Sequence, residues 1–394
     1  MKKSRLRLIA PIAVVTALAL TGCSTSNLGG SSPDDPAGDS GPIKIGAVLD
    51  VTGAGASLGV PEQNTLNMLA KQLKADGGID GRDVELTVLD NQSTEDGAAK
   101  ATSKLIESEK VDIIIGASRT GPSLAMRPLA EAAKIPMISV AANVAIVEGS
   151  EWVFKTTQND VIVIERMLDD AQAKGYTEVA LVRDATGFGE GVAEYITELG
   201  ADRGITLVTT ESFEPSATDF TPQMTNVRSS DADAVIIWGI NPSAALAQKA
   251  FVQLGVNKPV YQSHGIANQS FFDTAGDAAN GVIAPMGRLL VADQLADDNA
   301  QRDVISQFQA DYSAAYGEQP NAFAGHAFDA WHIAVNAIEA VGTDASDLRE
   351  ELETAQWTGV SGVFQMTAEN HSGLTASALI LAEAQDGRWN LLEG

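Results

Sequence analysis

The sequence predicts an α/β protein built from two doubly wound parallel-sheet lobes. Short apolar runs alternate with helical patterns along most of the 394 residues, and this alternation starts again about halfway. The runs are almost continuously apolar, which is typical of strands that helices cover on both faces. Repeated strand and helix units predict parallel sheets, because parallel neighbours need a crossover connection. A hydrophobic content of 44% is enough for two cores.

The first lobe is predicted from four strands and three helices. The predicted strands are 43–51, 84–90, 111–117 and 135–141. The predicted helices are 61–76, 94–109 and 122–134. Pro61 suits the first position of its helix, and Gly77 with Gly78 suits its end.

The second lobe repeats the pattern, and both lobes point to one cleft. Its predicted strands are 178–184, 206–213, 233–240 and 259–265, with helices near 187–201, 219–229 and 243–254. Ligands of doubly wound sheets bind at the carboxyl ends of the strands. If the lobes face each other, six loops should therefore meet in one cleft, namely those after Val51, Gly116, Val140, Asp184, Gly239 and His264.

The N-terminus has the pattern of an export signal. Lys2, Lys3, Arg5 and Arg7 precede an apolar run from Leu8 to Leu20, which is too short to span a membrane and ends in Thr21-Gly22-Cys23. The segment resembles the lipobox of bacterial lipoproteins. That resemblance implies a signal peptide over 1–22, a lipidated Cys23 and a location on the extracytoplasmic face of the cell membrane. Cys23 is the only cysteine, so no disulfide is expected.

The next residues and the charge limit the possible partners. Residues 24–41 are rich in Ser, Gly, Asp and Pro, which is typical of a flexible tether. Without the four cations of the signal segment the formal charge is −30. Nucleic acid is therefore an unexpected partner. A charge of this size keeps a surface solvated but identifies no ligand.

Several blocks of sequence carry a resemblance to a known family. The blocks are IKIGAVLDVTGAGASLG, GGIDGRDVELTVLDNQS, VDIIIGASRTGPSLAM, IPMISVAAN, RDATGFGEG, SATDFTPQMTNVRSSDADAVIIWG and GVSGVF. Their order and spacing resemble the branched-chain amino-acid (Leu/Ile/Val-binding) type of ABC-transporter substrate-binding protein, over nearly everything after Gly41. The resemblance implies a type I periplasmic binding fold that closes on a small molecule, is not an enzyme and works with an ABC permease and its ATPases.

The same resemblance implies where the chain passes between the lobes. Crossings are expected near Thr156, Met286 and Gly359. Lobe 1 then comprises 42–156 plus 287–358, and lobe 2 comprises 157–286 plus 359–394, after the segment 23–41 that holds the lipidated cysteine and the tether. A monomer is expected.

Candidate ligand-binding residues in the first lobe follow the strand 111–117. Thr120 opens a helix whose N-terminus presents unpaired N–H groups, and a carboxylate fits there. In the family, the positions of Thr120, Ala141 and Asn143 hold the ligand carboxylate; Ser118 lies beside them. Thr120 is alternatively a plain helix cap. Arg119 either pairs with an anionic ligand or lies along the surface.

Candidates in the second lobe are mainly aromatic. The turn around Phe188 resembles the family's aromatic-Gly-x-Gly turn, which places this ring over the ligand. Phe188 is alternatively a hydrophobic plug at the start of the next helix. Trp238 and Ile240 end a strand that faces the same cleft, although an ordinary core role is the favoured interpretation of both.

Two positions depart from the family pattern. Where branched-chain amino-acid binders commonly carry an acid that holds the ligand ammonium, this chain has His264, a much weaker electrostatic partner when neutral. Leu58 replaces an aromatic or polar residue. These departures raise aromatic or aliphatic carboxylic acids without an α-amino group as candidate ligands. Alternatively an amino acid binds and Asp184 takes its ammonium group.

Other function classes have little support. The loop 53–59 precedes a helix but departs from G-x-G-x-x-G, so no nucleotide cofactor is expected. No G-x-S-x-G elbow occurs, and the four histidines are scattered, so neither nucleophilic catalysis nor a metal site is expected. A lipid-anchored ligand sensor of the same fold remains an alternative to a transport protein.

Overall fold

A computed structural model of the chain describes residues 41–393. The predicted signal peptide, Cys23 and all of the tether except Gly41 lie outside the described residues. Two open sheets organise the fold. Among residues 41–393, none of the helices combines the length and apolar character that a membrane span requires.

The first sheet has five parallel strands in the order β2-β1-β3-β4-β5. The strands are β1 Ile43–Leu49, β2 Val84–Asp90, β3 Ile113–Gly116, β4 Met137–Ser139 and β5 Val153–Lys155. The helices between them are α1 Ala56–Ala75, α2 Glu95–Lys104 and α3 Thr120–Ala133. A π-helical turn, Leu105–Glu109, extends α2 to the predicted end. The predicted parallel order is confirmed for every pair of neighbours.

The second sheet has seven strands, of which five are parallel. Its order is β14-β13-β10-β9-β8-β6-β7. The parallel strands are β6 Glu178–Asp184, β7 Thr206–Phe213, β8 Ala234–Trp238, β9 Val260–Gln262 and β10 Val282–Met286. The helices on this sheet are α4 Asp160–Ala173, α5 Val192–Ala201, α6 Thr221–Ser229, α7 Ser243–Gln253 and α8 Gln269–Ala275.

The remaining elements are three helices, a separate two-stranded hairpin and the two edge strands of the second sheet. They are α9 Arg302–Tyr316, α10 Ala322–Val341, α11 Ala345–Leu352, the hairpin β11 Gln356–Thr358 with β12 Val363–Gln365, and the antiparallel edge strands β13 Ile380–Gln385 and β14 Arg388–Glu393. Helix α10 packs against α1, so the chain returns to the first sheet after β10. The sequence did not predict the edge strands, which the structure adds to the parallel strands.

Alternate side chains of the central strands enter different cores, which explains their apolar runs. In β6, Ala180 and Val182 pack into the core that both sheets share, whereas Val179 and Leu181 pack into a second core. Both faces of the second sheet are therefore buried at β6.

The prediction for Pro61 was wrong. Helix α1 begins at Ala56, and Pro61 lies inside it instead of at its first position. The early start depends on Gly59, because a Cβ at this residue would lie 2.3 Å from the backbone oxygen of Asp50. The first turn can thus pack directly over the end of β1. The predicted end of the helix is confirmed, since Gly77 and Gly78 have φ of +100° and +77°.

The chain between Gly359 and β13 contacts the first sheet. The backbone N–H of Lys155 donates to the oxygen of His371 at 3.0 Å. The His371 ring stacks on Phe154 with centroids 4.1 Å apart. His371 lies beyond Gly359, where the chain was expected to cross into lobe 2. The lobe boundary at Gly359 therefore stays a prediction.

Candidate functional site

A cavity of about 1010 Å³ lies where the carboxyl ends of strands from both sheets meet. Five of the six loops expected to form a cleft contribute residues to the cavity lining. The loop after Val51 does not, but Leu58 in the helix turn that follows it does. Eight candidate residues line it: Leu58, Ser118, Arg119, Thr120, Ala141, Phe188, Ile240 and His264. Asn143 and Trp238 do not line it. Ligand binding by these residues stays a prediction.

Thr120 presents a free hydroxyl at this cavity. It is the first residue of α3, whereas Arg119 occupies the N-cap position without a side-chain cap hydrogen bond. The Thr120 side chain is buried, and its Oγ1 has no hydrogen-bond partner among residues 41–393. The hydroxyl therefore does not cap the helix. A buried hydroxyl without a hydrogen-bond partner destabilises the folded protein. Such a hydroxyl is suited to accept a hydrogen bond from a ligand or to donate one to it.

Arg119 is already engaged by the protein. Its Nε contacts Oδ2 of the buried Asp50 in an ion pair, and its Nη2 donates to the backbone oxygen of Ser93. Neither of the two predicted roles included this partner. Because the Asp50 carboxylate offsets the guanidinium charge, Arg119 adds little net positive charge to the cavity.

Trp238 contacts and supports the loop that carries Phe188. The indole Nε1–H donates to the Phe188 backbone oxygen at 2.9 Å, and the two ring centroids are 5.2 Å apart. Trp238 is fully buried, which agrees with a core role. The predicted helix start at 187 was wrong, because α5 begins at Val192. Residues 187–191 instead form the turn that brings Phe188 to the cavity.

A glycine in this turn is required for its shape. A Cβ at Gly189 would lie 2.0 Å from the backbone oxygen of Asp184. The turn therefore folds tightly over the end of β6, where only glycine fits. This close approach places Phe188 beside His264, with ring centroids 5.7 Å apart.

His264 is a neutral imidazole at the cavity wall. Neither ring nitrogen has a hydrogen-bond partner among the described residues. Burial lowers the pKa of His264 to about 3, the Lys155 ammonium adds to the shift, and the backbone of Gln158 opposes it. A neutral ring offers one donor and one acceptor, and it brings no negative charge to pair with a ligand ammonium group.

Asp184 provides a carboxyl group at the same wall. Its Oδ1 accepts from the N–H of Thr186 at 3.0 Å and from the Thr186 hydroxyl at 2.6 Å. Burial raises the pKa of Asp184, and the hydrogen bonds from Thr186 oppose the shift. Asp184 is among the residues that line the cavity, so it stays a candidate partner for an ammonium group.

Sequence reasoning missed a buried lysine behind the cavity. Lys155 Nζ donates to the oxygen of Ala142 at 2.7 Å, to the oxygen of Thr157 at 2.8 Å and to Oδ1 of Asn159 at 2.6 Å. Burial lowers its pKa, and the neighbouring carboxylate of Asp160 opposes this shift. Ala142 and Thr157 line the cavity. Nothing in the sequence indicated this lysine, because the short strand β5 was not predicted.

The two sides of the cavity touch each other. Asn143 Nδ2 donates to the oxygen of Gly187 at 3.2 Å, and Ser57 Oγ donates to the oxygen of Asn241 at 3.5 Å. Asn143 thus bonds to the loop that carries Phe188 instead of facing the cavity. These contacts join α1 and a loop of the first sheet to two loops of the second.

Comparison with known proteins agrees with this architecture. A family model described as periplasmic binding protein matches residues 42–388. The Leu/Ile/Val-binding protein BraC3 of Rhizobium johnstonii is 23% identical over 76% of this chain and 80% of its own length.

Two solved structures from Rhodopseudomonas palustris have the same fold. An extracellular ligand-binding receptor from strain HaA2 is 30% identical, with a TM-score of 0.84 over 89% of this chain and 99% of that one. An ABC-transporter solute-binding protein solved in complex with benzoate is 22% identical, with a TM-score of 0.77 over 89% of this chain and 96% of that one.

Proposed function

Since this chain belongs to the periplasmic binding protein family, in its branched-chain amino-acid type, we propose that it is the substrate-binding component of an ABC importer. It captures an amino acid or another small carboxylate between two closing lobes and delivers it to a permease. Its fold is the type I periplasmic binding fold, and the proteins of this family bind substrates without catalysing a reaction.

The Thr120 hydroxyl is the observation that carries this proposal. It is buried, unpartnered and located on the first residue of α3, at the cavity. The helix N-terminus adds unpaired N–H groups and partial positive charge. A ligand carboxylate would satisfy the hydroxyl and these N–H groups together.

The environment of His264 favours carboxylates that lack an α-amino group. A neutral imidazole with two unpartnered nitrogens can donate to a keto, hydroxyl or second carboxyl oxygen of a ligand. An ammonium group would depend on Asp184, whose carboxyl is already bonded to Thr186. Aromatic or aliphatic carboxylic acids therefore suit this wall better than α-amino acids.

Closure follows from the position of the candidate groups on both lobes. Thr120 lies on the first sheet's side, whereas Phe188 and His264 lie on the second. A ligand that contacts all three stabilises the closed form selectively and shifts the population toward it. A micromolar dissociation constant, about −8 kcal/mol, is sufficient for scavenging. The permease would then recognise the closed form.

The membrane attachment belongs to the same proposal. Cys23 would carry the lipid, and residues 24–41 would hold the binding domain away from the bilayer. A receptor anchored in this way stays beside its permease instead of diffusing away.

A thermal-shift screen of residues 24–394 tests the binding function. The panel contains amino acids, their keto-acid analogues and aromatic acids, and a carboxylate should raise the melting temperature through binding to the folded state. Sugars and polyamines serve as negative probes. Stabilisation by a sugar or a polyamine alone, with every carboxylate silent, would refute the proposed ligand class.

Uptake measurements separate transport from sensing. Deleting the gene should abolish uptake of the radiolabelled carboxylate that the screen identifies, and restoring the gene should recover it. Unchanged uptake, combined with a lost transcriptional response to the same carboxylate, would instead support a lipid-anchored sensor.

A further inference from the structure

A buried acid, Glu62, stands directly behind the cavity wall. It lies in α1 with no exposed surface. Its Oε2 is hydrogen-bonded to the hydroxyl of Ser118, which lines the cavity. Its Oε1 has no hydrogen-bond partner among the described residues.

The surroundings of Glu62 favour its neutral form. The buried Asp50 lies nearby. The Arg119 guanidinium pairs with Asp50 and is therefore not available to neutralise an ionised Glu62. The other Asp50 oxygen accepts from Asn91 Nδ2 at 2.6 Å. Burial raises the pKa of Glu62 well above its usual value, the Asp50 charge adds to the shift, and the hydrogen bond with Ser118 opposes it.

The hydrogen-bond partners of a neutral Glu62 decide which of its oxygens holds the proton. On Oε1 the proton would have no acceptor, whereas on Oε2 it can be donated to Ser118 Oγ. Ser118 Oγ also accepts from the backbone N–H of Asp50 at 3.0 Å. A serine hydroxyl has two acceptor sites and one donor, so these two bonds occupy both acceptor sites. Its own hydrogen is left for a group in the cavity.

We infer that Glu62 is a positioning residue that makes Ser118 an obligate hydrogen-bond donor to a carboxylate or carbonyl oxygen of the ligand. The inference rests on the proposed function and refines it. With both acceptor sites occupied, Ser118 cannot accept from an ammonium or hydroxyl group. The serine therefore selects ligand groups that accept hydrogen bonds, at the same wall as Thr120.

The proton of Glu62 is essential to this arrangement. An ionised Glu62 would accept the Ser118 hydrogen and turn the hydroxyl away from the cavity. A glutamine keeps the arrangement, because its amide N–H can donate to Ser118 in place of the acid. A methionine of similar length offers no donor.

The first measurement is the protonation state of Glu62. Protein of residues 24–394 with ¹³C-labelled glutamate carboxyl groups is titrated by NMR, and the Glu62 signal is assigned by its loss in Glu62→Gln. Glu369→Gln, at an exposed turn, is the matched control. We expect a protonated Glu62 at pH 7 in the unliganded protein. An ionised Glu62 at pH 7 would overturn the inference, whatever the protein binds.

The second measurement is calorimetric binding of benzoate, L-isoleucine and 4-methyl-2-oxopentanoate. Ser118→Ala should weaken whichever probe binds by about 10- to 100-fold, the worth of a hydrogen bond to a charged group. Glu62→Met should weaken it by about three- to tenfold, the worth of one neutral hydrogen bond. Glu62→Gln should restore affinity to within about threefold of wild type. Melting temperatures confirm that each variant is folded.

Two outcomes contradict the inference while leaving the proposed function intact. One is an unchanged affinity in Ser118→Ala. The other is an equal loss in Glu62→Gln and Glu62→Met, which indicates a purely structural role for this position. If no carboxylate binds to the wild-type protein at all, the proposed function itself fails, together with the donor role of Ser118.

Discussion

Replacing Thr120 with valine should change stability and ligand affinity in opposite directions. Valine has almost the shape of threonine but no hydroxyl. In the structure the Thr120 side chain is 2% exposed, and its Oγ1 has no partner among residues 41–393. A Cβ added at Gly187 would lie 3.3 Å from the Thr120 methyl Cγ2, so this methyl faces the opposite loop. Valine keeps that methyl and replaces only the hydroxyl.

The magnitudes follow from the state of the hydroxyl with and without ligand. An unsatisfied buried hydroxyl costs about 1–3 kcal/mol, so Thr120→Val should raise the free energy of unfolding of the unliganded protein by about 1 kcal/mol. Helix propensity hardly differs between the two β-branched residues. Losing a hydrogen bond to a ligand carboxylate costs about 1.5–3 kcal/mol, which is about a 10- to 100-fold loss of affinity.

Urea unfolding and calorimetric titration measure the two effects on the same preparations. Thr120→Ser is the matched control, because it retains the hydroxyl and loses the methyl group. The serine variant should lose stability and keep most of its affinity. A valine variant that is less stable than wild type, or that binds the carboxylate equally well, would show that Thr120 only supports the fold.

Three further predictions address other parts of the chain. His264→Glu should improve the binding of α-amino acids relative to their deaminated analogues, because it replaces a neutral imidazole with a carboxylate. Calorimetric titration with leucine and 4-methyl-2-oxopentanoate measures the ratio of the two affinities. An unchanged ratio would disprove the role of His264. Trp238→Phe should lower the free energy of unfolding by about 2–4 kcal/mol, because it leaves the Phe188 oxygen unpaired and a cavity in a full core; a loss below about 0.5 kcal/mol in urea unfolding is the contrary result. Cys23→Ala should release the protein from the membrane fraction and impair uptake while binding by the purified domain is unchanged, and retention in the membrane fraction would contradict the lipid anchor.

Local pattern was a good guide to the central strands. The predicted strands 84–90, 178–184 and 206–213 coincide with β2, β6 and β7. These segments are seven or eight residues long and rich in Val, Leu and Thr, so their own side chains favour an extended conformation. The three-residue strands were overestimated in length or missed, because so few residues carry little periodic signal.

Boundaries next to the cavity were predicted less well. Helix α1 starts before Pro61 because Gly59 packs on the backbone of Asp50, and α5 starts after Phe188 because Gly189 packs on the backbone of Asp184. Both boundaries depend on the close approach of two backbones. Such contacts are properties of the tertiary structure and leave no periodic pattern in the sequence.

The sequence by itself determined the two doubly wound units, the parallel order of their strands and the loops that meet at the cavity. These features follow from hydrophobic periodicity and from the geometry of parallel strands. Only the tertiary structure decided the state of the polar groups. Glu62 meets Ser118 across 56 positions of sequence, and Arg119 meets Asp50 across 69. Burial and partners set hydrogen-bond direction and pKa, and both arise only when distant segments pack together.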